Sequence, residues 1–321
     1  MRIRKGIVVF VAYTWAALAQ ATSLPPSPAS IEPETVEALF DRDAPPATRD
    51  RAMQSLVASA QAGDGYAAFY LGALYRHGMD HPARRVERDV ETARFWLEKC
   101  VASPRCPLVA LASLAELELA AGNAKPAMQW GQAWVVLDRE LEKRTRGPRP
   151  HDNTIDIPFR HTAYHAYLLD RCYKAMAPAR DAESLGRTWF DELARTHGPH
   201  LDRMLFTALD EPSSGGSEGE GRPHLQIATE AQRTKTMGGD VRIPIGPSLG
   251  YFLYRGSPAG GRADGVWMIE ALPNPAGARG LEAQARGVRT RPYTPAADGR
   301  HAYAYLPLTF NDGAYSLTPQ R

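Results

Sequence analysis

Apolar positions recur at helical spacing from Ala62 to Val101, in two short runs separated by polar residues. In the first run, Leu71, Leu74 and Tyr75 share a face with Ala67, Ala68 and Gly72, whose small side chains mark the points of closest approach. Gly78 ends that run, because glycine enters a left-handed cap at almost no steric cost. A charged loop from Asp80 to Asp89 leads to a second helix, with Ala93, Trp96, Leu97 and Cys100 on its buried side. Such a hairpin cannot bury its apolar face alone, so it must stack on neighbours. A degenerate second copy runs from Cys106 to Trp134, with Leu114, Leu117, Ala121, Gly122, Ala127, Trp130 and Ala133 in comparable places. Ahead of both, Ala52, Leu56, Ala60 and Gly63 form the closing helix of an incomplete earlier unit.

The helical period continues after a break at Gly147-Pro148-Arg149-Pro150. One helix is predicted from about Arg160 to Met176, another from Asp181 to Thr196, and a last segment from Leu201 to Leu209, with His197-Gly198-Pro199-His200 as the turn between the last two. Glu211 to Gly221 is built from Ser, Gly, Glu and Pro, and a stretch so poor in apolar surface is expected to act as a flexible linker. Beyond it the period shortens to that of strands. Val241–Ile245, Tyr251–Tyr254, Val266–Ile269 and His301–Phe310 are β-prone, and Leu281 to Val288 has the pattern of a short helix. The chain thus divides into an α-helical repeat region at 22–210, a linker at 211–223 and a small α+β region at 224–321.

Two family resemblances attach to these patterns. Gly65, Ala67, Tyr70, Leu71, Gly72, Tyr75, Gly78, Asp89, Ala93, Trp96 and Leu97 resemble the Sel-one-like repeat, a short relative of tetratricopeptide (TPR-like) repeats. That resemblance implies an α helical-hairpin solenoid whose groove binds protein or peptide partners. The last seventy or so residues resemble the TonB C-terminal domain, through Tyr251–Tyr254, Val266–Ala271, Gly280–Val288, the aromatic-x-Pro-Ala segment Tyr293-Thr294-Pro295-Ala296, and Ala302–Phe310. Arg291 stands where that family usually carries tryptophan, and the long Pro-rich spacer is missing.

The N-terminus bears on compartment. Arg2, Arg4 and Lys5 precede an apolar run from Gly6 to Leu18, and Ala19-Gln20-Ala21 offers a small-x-small cleavage pattern, so residues 1–21 are expected to be a signal peptide. The run is shorter than the roughly 20 residues of a spanning helix, and an uncleaved anchor is the alternative. Removing the segment takes the formal net charge from +2 to about −1, which argues against a nucleic-acid partner. The expected location is the periplasm. In that oxidising setting Cys100 and Cys106, separated by the Ser103-Pro104 turn, either form a disulfide or sit as two small buried residues. The compartment favours the bridge, and exported cysteine-rich members of the repeat family carry comparable staples at longer spacing. Cys172 is left over, in a helix, as a buried thiol.

Chemical motifs are weak. Gly246-Pro247-Ser248-Leu249-Gly250 matches the nucleophile-elbow pattern, and Asp264 or Asp298 and then His301 follow in hydrolase order, but a strand rather than a helix is predicted after Ser248. His161 and His165 lie four apart on a predicted helix, with His151 and Asp152 upstream, yet no third ligand is evident. Trp96, Trp130 and Trp134, with Phe69 and Tyr70, fit a solenoid core better than a ligand cage. The expectation is an exported, non-enzymatic adaptor without cofactor or metal, binding a protein or peptide through the helical groove and a tethered β-rich module. The alternatives are a membrane-anchored TonB-like energy transducer, touching the membrane through the uncleaved N-terminus, and, more remotely, a serine hydrolase using Ser248.

Overall fold

The computed structural model describes residues 30–145, 162–177, 181–210, 225, 247–276 and 279–310. The expected signal peptide, the linker at 211–223, the strand at Val241–Ile245, and His151, Asp152 and His161 lie outside the described residues. The chain is mostly helical and ends in a small antiparallel sheet.

Helices α1 (Pro33–Phe40), α2 (Pro46–Gln61), α3 (Gly65–His77), α4 (Val90–Ala102), α5 (Val109–Ala120) and α6 (Ala124–Thr145) each pack on the next. Local chemistry sets their ends. Asp64 caps α3 by accepting from the Tyr66 amide at 3.0 Å, and Asp89 caps α4 by accepting from the Thr92 amide at 3.0 Å. Gly78 closes α3 at φ 59°, where a Cβ would also lie 2.3 Å from the Arg88 nitrogen. The turn after α4 brings Cys100 and Cys106 to disulfide-bonding distance, with Cα atoms 5.2 Å apart.

Helices α7 (Thr162–Ala175) and α8 (Ala182–Asp210) both pack on α6. Helix α8 corrects the sequence expectation: it runs straight through Gly198 and Pro199, where a turn between two helices is predicted. An interior proline costs a helix about 3 kcal/mol. Here Leu193 on one side of Pro199, and Leu201, Met204 and Leu205 on the other, are buried in one core and hold the two halves in line.

The sheet has the order β3-β1-β5, from β1 (Ser248–Arg255), β3 (Gly265–Leu272) and β5 (Tyr303–Phe310), all antiparallel. β2 (Gly261–Arg262) and β4 (Arg289–Thr290) form a separate two-residue pairing, and a short helix α9 (Arg279–Ala285) covers one face of the three-stranded sheet. Pro307 lies in β5, an edge strand of this sheet, where a missing amide donor is tolerated.

Strand alternation assigns the two faces. Leu249, Tyr251, Leu253, Tyr303 and Tyr305 join the core of the helices, whereas Phe252, Tyr254, Ala304, Leu306 and Leu308 pack with Leu281 and Ala285 of α9. Covered on both faces, β1 is buried nearly end to end. The sheet is therefore a middle layer, with the helical array on one side and α9 on the other.

Glycines at close approaches predict substitution effects of opposite sign. A Cβ on Gly72 would lie 2.6 Å from Leu97 Cγ, in the seam between α3 and α4. Gly72→Ala is expected to lower stability by about 1–3 kcal/mol in urea unfolding, despite alanine's better helix propensity. At Gly131, inside α6, the nearest atom would be Cys172 Sγ at 3.4 Å, an ordinary contact. Gly131→Ala is expected to be neutral or to stabilise by up to about 1 kcal/mol in the same assay.

Candidate functional site

Helix α3 is buried around its whole circumference, as Ala67, Ala68, Phe69, Tyr70, Leu71, Ala73 and Leu74 show. An α-helix with no polar face needs cover on every side. Helices α2 and α4 supply one side and the sheet supplies the other. Tyr70 stacks on Tyr305 at 6.1 Å between ring centroids, and Phe69 meets Tyr251 edge-on at 5.6 Å.

At the C-terminal end of α3 this apolar contact gives way to charge. Arg76 and His77 occupy the last turn, where the helix dipole favours cations. Both reach Glu270, a fully buried carboxylate on β3. Arg76 Nη2 donates to Oε1 at 2.7 Å, and His77 Nε2 lies 2.6 Å from the same oxygen. Ser113 of α5 donates its hydroxyl to Oε2 at 2.8 Å, and the Ala271 amide donates to Oε1 at 2.7 Å. Arg76 Nε also donates to Oε2 at 3.3 Å, while Nη2 and Nη1 donate to the Ala271 and Pro273 carbonyls at 2.7 Å and 3.1 Å.

Glu270 points at the helices because β3 carries a bulge. Tyr251 pairs with Glu270 but Phe252 pairs with Met268, leaving Ile269 as the extra residue. Two consecutive residues, Ile269 and Glu270, thereby turn to the same side.

Burial alone would push the Glu270 carboxyl up. The Arg76 charge and the hydrogen bonds from His77 and Arg76 outweigh it and hold the group well below the usual carboxylate range. Burial, reinforced by Arg76, pushes His77 down, so its imidazole is neutral near pH 7. His81 is lowered to about 4, first by burial and then by His77. Its Nδ1 accepts from the Ala83 amide at 3.0 Å while Nε2–H donates to the Ile269 carbonyl at 2.9 Å, an arrangement only the neutral ring can make. This cluster is closed to solvent; it joins helices to sheet and has no room for a reactant.

An open cleft lies at the edge of the same junction. It has a volume of about 480 Å³, within the range of ligand pockets, and opens between the α1–α2 loop, strands β1 and β3, and α9. Phe40, Phe252 and Met268 are buried beneath it, and Trp267 is half-exposed in its wall. Arg255 lies with its guanidinium 5.5 Å from the Trp267 ring and donates to Glu37, which also accepts from the Tyr303 hydroxyl.

The sequence-derived candidates fall elsewhere. Ser248 is fully buried as the first residue of β1, inside a strand rather than on an elbow. Asp264 and His301 lie at the other end of the sheet, since the Asp264 amide bonds the Arg255 carbonyl and Tyr303 pairs with Arg255. Seven residues of extended strand place Ser248 about 23 Å from that end, so the three are not brought together. Asp298 is engaged with Arg300 in the loop before β5. His165 is buried, with Nε2 2.8 Å from Asp138 and its ring against Trp134 at 4.5 Å. Among the described residues no group of three metal-ligating side chains converges, and no helix is long and apolar enough to cross a membrane. Trp96, Trp130, Trp134, Phe69 and Tyr70 are all core. Burial pushes the Cys172 thiol up to about 12, which leaves it unreactive.

The buried cluster and the cleft escape sequence reading because their parts are from about 150 to about 245 positions apart along the chain. The available signal was the polarity of α3, apolar all round until Arg76-His77. No protein-family model, curated protein or solved structure matches the chain.

Removing the Glu270 carboxylate would strand a buried guanidinium. Glu270→Leu is expected to cost about 3–5 kcal/mol in urea unfolding, and adding Arg76→Met should recover part of that loss. The histidines set an acid limit. Below pH 6.5 the unfolded chain takes up a proton that folded His81 refuses down to about 4, so stability falls with pH across that window. The fall is expected to reach roughly 3 kcal/mol, read from thermal unfolding at pH 7.5 and 4.5, with a shallower slope in His81→Gln. The contribution of Glu270 persists through this window and disappears only below the ordinary carboxylate range.

Proposed function

We propose that this protein is an exported, non-enzymatic scaffold: a Sel-like α-solenoid with a TonB C-terminal-like sheet docked on it, offering a binding surface to a protein or peptide partner. The observation that carries the reading is the contrast between two neighbouring sites. At the buried junction every charged group is engaged within the protein, whereas the adjoining cleft keeps an aromatic wall and several carboxylates open to solvent. The first joins the parts and the second is free to recognise something else.

In this reading the sheet works from a fixed position on the helices, because its inner face lies in their core. A tail held in that way fits presentation of a surface better than the reach of an energy transducer across an envelope. The separation of Ser248 from Asp264 and His301 counts against hydrolysis. Cys100 and Cys106 at bonding distance suit an oxidising compartment, in keeping with the N-terminal pattern.

Intact mass of the protein taken from its native envelope, with and without thiol alkylation, tests compartment and processing. The expected mass begins at Thr22, with one alkylatable thiol. Retention of residues 1–21 would turn the reading to the anchored transducer. The scaffold role is tested by placing a photo-crosslinking amino acid at Arg286, on the cleft rim. Irradiation in cells is expected to give a discrete adduct that is absent when the probe is at Asp202 on α8, and no adduct would count against the role.

A further inference from the structure

We propose that the cleft between the α1–α2 loop, β3 and α9 binds a basic peptide segment, taking an arginine or lysine side chain against Trp267. This rests on the scaffold reading and names the chemistry of its partner.

The cleft combines an apolar base with an acidic rim. Phe252 and Met268 lie buried at its base, a surface suited to the methylene stem of a long side chain. Asp41 and Asp43 come from the α1–α2 loop, Asp264 from the turn before β3, and Glu282 from α9. Three guanidiniums, Arg42, Arg255 and Arg286, oppose these four carboxylates, but the charge of Arg255 is already matched by Glu37. With Arg255 matched by Glu37 and Arg49 beside Asp41, the opening keeps a net negative charge of about one, which favours cations over anions.

The protein also contains an example of the contact. The Arg255 guanidinium sits 5.5 Å from the Trp267 ring while a carboxylate, Glu37, neutralises it. A ligand cation would repeat that arrangement from the solvent side, with the indole supplying a π face and a rim carboxylate supplying charge-assisted hydrogen bonds. Cavity, aromatic wall and surplus carboxylates come from segments more than two hundred residues apart, and they coincide only because the sheet is docked on the helices.

The test is fluorescence anisotropy of the full chain with a fluorescein-labelled peptide of alternating glycine and arginine, and a glycine–glutamate peptide as control. Saturable binding of the arginine peptide that weakens with salt is expected, with no binding of the control. The Asp264→Asn/Glu282→Gln double variant changes only exposed or half-exposed positions, and it should lose affinity about tenfold, whereas Asp202→Asn should not. Equal affinity in the double variant and wild type, or no binding at low salt, would overturn the proposal. In-cell crosslinks from position 286 together with no arginine-peptide binding would overturn the ligand class and leave the scaffold role standing. Peptide binding that responds to the double variant, with no crosslinks in cells, would support the cleft chemistry and count against the role.

Discussion

The buried carboxylate of Glu270 constrains everything around it. An ionised group with no exposure is tolerated only when its lone pairs meet donors, and here α3, α5 and β3's own backbone all contribute. Three elements distant in sequence must therefore meet at one point and in one orientation. Apolar packing of Phe69 and Tyr70 on Tyr251 and Tyr305 is broad and tolerant of small slips; the Glu270 cluster is directional. It fixes which face of the sheet meets the helices, and it depends on the bulge at Ile269 to turn Glu270 out of the regular alternation.

From that contact the layering follows. With the sheet held against α3, its far face needs a cover, and α9 provides it through Leu281 and Ala285. The α1–α2 loop is brought opposite β3, and the gap between them is the cleft. The histidines follow from the same enclosure: burial lowers the pKa of both His77 and His81, so both favour the neutral ring near pH 7. A cluster that joins the parts and a cleft that is open to solvent are two products of one packing arrangement.

Much of the secondary structure was legible in the chain. Gly78 and Asp89 mark the ends of α3 and α4 because capping is local chemistry, decided by a side chain and the amides within a few residues of it. The strands around Phe252, Met268 and Tyr305 were visible as β-prone runs for the same reason. Pro199 was misleading: taken alone it ends a helix, and burial of Leu193 and Leu201 in a common core overrides it. The strand predicted after Ser248 already discounts its motif, and Ser248 opens β1; what the five residues left open is where the would-be partners lie.

The sequence by itself determined the helical hairpins with their caps, the change from helical to strand period after the Ser/Gly-rich stretch, and the closeness of Cys100 to Cys106 across a tight turn. All of these depend on interactions over a few residues. Only the tertiary structure decided that the sheet lies on α3, that Arg76 and Glu270 neutralise each other, and that Trp267 faces a cleft rimmed by the α1–α2 loop. Those contacts join positions up to about 235 residues apart. Their register is chosen by the cost of burying an unpaired charge, which no local pattern encodes.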